Sequence, residues 1–198
     1  MIAEKEREAL LARVVANLDA ETAFLARLVQ VPSLYSEPAA KEQCQDVICD
    51  QLGAFGADVD RWMPDYAAMG DFYAPSEALF PEYIQWRNCS NAVGRRRGRG
   101  RGRSLLLNGH IDVAEIGDAG RWSVPPWSGV VGAGKLHGRG ACGQKAGLAG
   151  MLFAVRAIVE CGIPLSGDAL LAAVVDEESS GNGTRACLSR GYSAESRA

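Results

Sequence analysis

The chain has 198 residues, 47% of them hydrophobic and 23% charged, with a net charge of −3. This is enough apolar material for one sizeable core, and the charge is too balanced for a disordered chain or a polyanion-coating protein. Met1 to Leu10, "MIAEKEREAL", is too acidic for a secretory leader, and no uninterrupted apolar run approaches a bilayer span, so the expectation is a soluble, cytoplasmic protein with no membrane partner.

Glu4 to Val29 reads as one helix, because Leu10, Leu11, Val14, Val15, Leu18, Leu25, Leu28 and Val29 recur three and four apart, and Pro32 ends it. Pro38 to Leu52 reads as a second helix with Cys44, Val47, Ile48 and Leu52 on one face, stopped by Gly53 and Gly56. A short strand is expected at Asp58 to Trp62, then an irregular loop from Met63 to Arg87. Asn91 to Arg95 and Ser104 to Asn108 read as strands joined as a β-hairpin through "GRRRGRGRGR", Gly94 to Arg103. Gly143 to Cys161 is a helix rich in small residues, with Leu148, Leu152, Val155 and Val159 at helical spacing. Ala169 to Val175, "ALLAAVV", is the near-continuous apolar run of a strand covered on both faces, and a last short helix follows Gly181 and Gly183. The alternation of helices and strands predicts an α/β fold with a mixed twisted sheet flanked by helices. The six cysteines form no Cys-x-x-Cys pair and read as reduced thiols, mainly in the core.

Two polar clusters fall at strand ends, where ligands gather in such sheets. His110 and Asp112 follow the leucine strand; an imidazole binds a cation through one nitrogen when its other nitrogen donates to an acceptor, although a His-x-Asp pair alone is also a common surface feature. Asp176, Glu177 and Glu178 follow the apolar strand, and three adjacent carboxylates repel one another unless a cation or donors sit among them. Between them lies "WSVPPWSGVVGAGKLHGRGACGQKAG", Trp122 to Gly147, whose Gly and Pro density gives turns and whose helix start near Gly143 offers free N–H groups.

Four stretches in order, "LLLNGHIDV", "WSVPPWSG", "GKLHGRGACGQKAG" and "VVDEESSGNGT", resemble the acetylornithine deacetylase / succinyl-diaminopimelate desuccinylase / aminoacylase family of zinc metallohydrolases. The resemblance covers roughly Asn91 to Gly183 and implies the N-terminal portion of an incomplete zinc-peptidase-like catalytic domain, 1–198, without the dimerisation domain or the C-terminal part; the oligomeric state is left open. It implies His110 as a ligand of one zinc, Asp112 as the carboxylate that orients it, Glu178 as a ligand of the second zinc, and Glu177 as the general base that takes a proton from the attacking water. The implied reaction is hydrolysis of an amide in a small N-acyl amino acid or dipeptide, with two zincs per site as the family cofactor.

Two departures from the family pattern matter. Where the family reads Gly-Arg-Gly-Ala-x-Asp-Met-Lys, this chain reads Gly138-Arg139-Gly140-Ala141-Cys142-Gly143-Gln144-Lys145, so Gly143 replaces the aspartate that bridges the zincs. Two dications about 3.5 Å apart repel by roughly 20 kcal/mol at an effective dielectric of 20, so a bridging anion is central to holding them. The family's further acidic ligand and its final histidine have no counterpart in the matched stretches. One zinc or none is therefore expected, with impaired activity; the alternatives are an inactive truncated paralogue and a non-catalytic module that binds acylated amino acids. His137 is a weaker ligand candidate, since relatives usually carry tyrosine there, and Cys142 reads as a small buried thiol. The Arg/Gly run admits a nucleic-acid reading, but it is short and lacks interleaved aromatics, so no nucleic-acid partner is expected.

Overall fold

A computed structural model of the chain describes residues 2–72 and 88–194. In chain order its main elements are α1 (Glu4–Ala16), α2 (Leu18–Gln30), α3 (Pro38–Ala54), β1 (Asp58–Trp62), β2 (Asn91–Arg96), β3 (Leu105–His110), β4 (Val130–Gly132), β5 (Lys135–His137), α4 (Ala146–Glu160), β6 (Ala169–Val174) and α5 (Asn182–Ser189). Of the irregular loop expected at 63–87, residues 66–72 form a 3₁₀ helix and 73–87 lie outside the described residues.

The mixed, helix-flanked sheet has the order β1-β2-β6-β3. β6 pairs antiparallel with β2 and parallel with β3. This corrects the expected hairpin: β2 and β3 are consecutive in the chain but stand on opposite sides of β6. The cause is the composition of β6, whose six residues are all buried. A strand apolar on both faces is stable only in the middle of a sheet, and it takes the place between the two earlier strands. Its side chains alternate with period two: Ala169, Leu171 and Ala173 enter the core shared with α2, α3 and α4, while Leu170, Ala172 and Val174 enter a smaller core with Val93 and Cys187 of α5.

The single helix expected over Glu4 to Val29 is two. A turn at Asn17 separates α1 from α2, and the Asn17 side chain leaves the helical line to donate to Glu160 Oε2 at 2.8 Å. α1 buries no residue: its apolar positions Leu11, Val15 and Leu18, the last beginning α2, are 55%, 66% and 50% exposed. Over α1 the periodic pattern thus marks a helix without marking a core face, whereas Leu28 and Val29 at its α2 end are buried. The 20-residue segment Ala141–Glu160 is long and apolar enough to cross a membrane by length and composition alone, a test that core helices also pass. In the fold its regular part is the core helix α4, with Leu148, Leu152, Phe153 and Val155 packed in the core; α4 begins at Ala146, not at the expected Gly143, because Gly143 and Gln144 are non-helical.

Candidate metal centre

β3 and β6 run parallel in register, with His110 opposite Val174, so both strands deliver their following residues to the same end of the sheet. There the donor atoms of His110, Glu177 and Glu178 all lie within 4.8 Å of one another. Glu177 Oε2 is 3.5 Å from His110 Nε2, and both glutamates are solvent-exposed while the imidazole is mostly covered.

The imidazole is fixed by its other nitrogen. His110 Nδ1 is 2.8 Å from the Asp112 carbonyl oxygen, which only accepts, so Nδ1 donates there and the ring is held with Nε2 facing the glutamates. The Asp112 carboxylate is 3.7 Å from Nδ1 and does a second job: it accepts the backbone N–H of Glu177 at 3.3 Å and of Glu178 at 3.1 Å. One residue therefore orients the histidine and both glutamates. Gln144 Oε1 accepts the His110 N–H at 2.9 Å and closes the other side.

Asp112 is fully buried, and burial is the main reason its carboxyl rises from 3.8 to about 6; Asp176 adds to the rise, while His110, the Glu178 N–H and Lys41 oppose it. The folded value lies above the unfolded one, so this group's contribution to stability is full below pH of about 3.8 and is lost as pH rises through about 6. The metal-free chain is expected to lose melting temperature across that window by more than Asp112→Asn does. Thermal melts of both chains at successive pH values check this.

The acidic triplet does not act as three equivalent ligands. Asp176 turns away from its two neighbours at a positive φ of 60° and is buried. Its carboxylate meets Lys41 Nζ at 3.4 Å and accepts from the Tyr66 hydroxyl, and its carbonyl accepts the N–H of Ser180 and Gly181. The cation expected among the triplet is, for Asp176, a lysine of the chain itself. Lys41 is fully buried on α3, and sequence reading passed over it. The signal was present: Lys41 lies on the same helical face as Cys44, Gln45, Ile48 and Leu52, all buried. Lys41→Met leaves the Asp176 carboxylate buried without its cation and is expected to cost about 3–5 kcal/mol in urea unfolding, with partial recovery in Lys41→Met/Asp176→Asn.

Lys145 is also buried and donates to the Leu28 and Val31 carbonyls, both at 2.8 Å, which closes the end of α2 and pins the loop below the centre. Gly143 precedes it in an ordinary extended conformation (φ −122°, ψ 99°), and a Cβ placed there meets nothing within 4 Å. The position where the resemblance implies an acid is thus open space. Cys142 is exposed, which corrects the buried thiol expected there; Cys44, Cys89 and Cys187 are the buried ones. His137 sits on β5 opposite Val130, outside the His110–Glu177–Glu178 group found among the described residues. The imidazole and the Glu178 carboxylate offer two ligands for one divalent cation, and the Glu177 carboxylate stands beside them where it can serve a water on that ion.

Residues 106–197 match the model of Peptidase family M20/M25/M40. Two curated relatives are named N-formyl-4-amino-5-aminomethyl-2-methylpyrimidine deformylase. The one from Halalkalibacterium halodurans is 33% identical over 188 residues, covering 95% of this chain and 40% of the relative. The one from Bacillus subtilis is 34% identical over 177 residues, covering 86% and 37%. The chain therefore spans well under half the length of these relatives. Among solved structures, the di-peptidase Dug1p of Saccharomyces cerevisiae superposes with a TM-score of 0.69 at 19% identity, covering 88% of this chain and 35% of that one. Human carnosine dipeptidase 1 gives 0.68 at 20% identity, covering 86% and 35%. These structures share the fold of the α/β catalytic domain.

Proposed function

We infer that the chain belongs to the peptidase M20/M25/M40 family and that its centre serves hydrolysis of an amide bond in a small substrate. The observation that carries this is the convergence of His110, Glu177 and Glu178 at the shared end of β3 and β6, with the imidazole fixed by Asp112. The family match over residues 106–197 and the names of the relatives support it. The small N-acyl group is the substrate feature common to the deformylase relatives and to the acyl amino acids expected from the sequence motifs. Formyl, acetyl and succinyl amides, with dipeptides, are therefore the substrates to test. The six cysteines, none of them in a disulfide, accord with a reducing, cytoplasmic setting.

His110 and Glu178 would hold a zinc ion, which when bound supplies a Lewis acid for the carbonyl and acidifies water. Glu177, exposed beside His110 Nε2, accepts the proton of the attacking water as oxygen adds to the carbonyl carbon. The same carboxyl then gives that proton to the amine nitrogen as the C–N bond breaks. Asp112 holds the backbone of both glutamates, so that the base and the ligand keep their spacing.

A second reading rests on Gly143, which contributes no side chain where the family carries the bridging acid. In that reading the centre holds one dication and binds an acylated amine without turning it over. Release of formate, acetate or succinate by the zinc-supplemented chain supports hydrolysis. Saturable binding of the amides without product supports the binding module.

A further inference from the structure

At the other end of the sheet from His110, the loop joining β2 to β3 carries the arginine run. It is not a floppy tip. Arg99 N–H donates to the Leu165 carbonyl and Gly102 N–H to the Ser166 carbonyl, both at 2.8 Å, and Asp168 Oδ1 accepts the Gly98 N–H at 2.8 Å. The glycines lie against the 165–167 segment so closely that a Cβ at Gly98 would stand 2.4 Å from the Gly167 carbonyl oxygen, and one at Gly102 would stand 2.6 Å from Ser166 Cβ. The glycines form the attached side of the loop, and Arg97, Arg99, Arg101 and Arg103 are exposed.

The charges are only partly used. Arg95 is paired with Asp168 at 2.5 Å and Arg97 with Asp58 at 2.9 Å, while Arg96 donates to the Gly56 carbonyl. Arg99 has no carboxylate partner among the described residues. Arg96, Arg97 and Arg99 form one wall of a cavity of about 230 Å³ whose other wall includes Ile163, Pro164 and Leu165. The chain's overall charge is −3, so six arginines within ten residues, on a fixed backbone beside a cavity, form a local feature that neither the fold nor the metal centre requires.

We propose that this loop is an oligophosphate-binding site, in which the guanidinium groups of Arg96, Arg97 and Arg99 take a compact, multiply charged phosphate chain in the cavity they line. Guanidinium is the donor best matched to phosphate, because its planar fork makes paired hydrogen bonds that keep their geometry. The cavity is small for a drug-sized ligand and suits a phosphate chain. The absence of aromatic residues from the run, and its brevity, disfavour a single-stranded nucleic acid, which needs stacking platforms along the strand. The source of the phosphate chain is either a free oligophosphate or the triphosphate of a nucleotide, whose base would rest on Ile163 to Leu165. The site is independent of the hydrolase reading.

The test is calorimetric titration of the whole chain, in metal-free buffer at about 0.15 M salt, with sodium tripolyphosphate, with a nucleoside triphosphate and with a single-stranded oligonucleotide. One tripolyphosphate per chain is expected. Arg99→Ala should weaken it about tenfold, in keeping with loss of one charge-assisted contact. Lys135→Ala, which removes an equal charge elsewhere, should leave it unchanged, as should His110→Ala. Asp58→Asn releases Arg97 from its ion pair and should tighten binding. Equal affinity for tripolyphosphate and the nucleotide identifies a free oligophosphate as the ligand, and clearly tighter nucleotide binding identifies the nucleotide. Binding that is absent at this salt, unaffected by Arg99→Ala, or weakened as much by Lys135→Ala overturns the proposal. Preferential binding of the oligonucleotide overturns it in favour of nucleic acid.

Discussion

Gly143→Asp is expected to tighten zinc binding by more than about a hundredfold and to let the chain retain a second zinc on purification. The scale follows from metal sites in general, where loss of a residue merely supporting a ligand already costs 10–100-fold, and a direct carboxylate contributes more. Backbone and space both allow the change. Gly143 has an extended conformation open to any residue, and its Cβ direction is empty to 4 Å. The electrostatic reason is that one aspartate between two dications offsets the repulsion that otherwise excludes the second. Elemental analysis of both proteins, with melting curves to show that each is folded, reads the result. Unchanged zinc content in a folded Gly143→Asp chain would show that the glycine does not limit zinc binding.

Glu177→Gln carries the second large effect. In a chain that hydrolyses any of the amides, including the Gly143→Asp chain if it alone is active, the change is expected to lower the rate by about 10²–10⁴-fold, the range for loss of a positioned general base. Zinc affinity should change far less, whereas His110→Ala and Glu178→Gln should lose the metal. The contrast separates two adjacent glutamates that share one turn, one exposed environment and one backbone partner in Asp112. A rate that falls only in parallel with zinc content would make Glu177 a ligand in place of the base.

The sequence carried the ends of the strands better than their neighbours. β1 falls on the expected residues, β6 begins where the apolar run begins, His110 is the last residue of β3, two beyond the expected end at Asn108, and Glu177 follows β6. Pairing was less legible, because a hairpin is the cheapest guess for consecutive strands, and only the long-range demand of β6 for two neighbours overrides it. The β4–β5 hairpin was hidden in a stretch read as Gly/Pro loop, although Ala133 and Gly134 supply the positive φ values of its tight turn. In the site, the groups with chemistry were visible as motifs, while those that hold them were not. Lys41, Tyr66 and Gln144 act across 34 to 135 residues of chain, so no local spacing reveals what they touch. The double use of Asp112, carbonyl toward the histidine and carboxylate toward the glutamates, depends on the fold bringing residue 112 under residues 177 and 178.

The most direct measurement is calorimetric titration of the metal-free chain with zinc. One equivalent is predicted, abolished by His110→Ala and by Glu178→Gln and kept by Glu177→Gln. Two equivalents in the unmodified chain, or one equivalent that survives His110→Ala, would contradict a single-cation centre built on these residues.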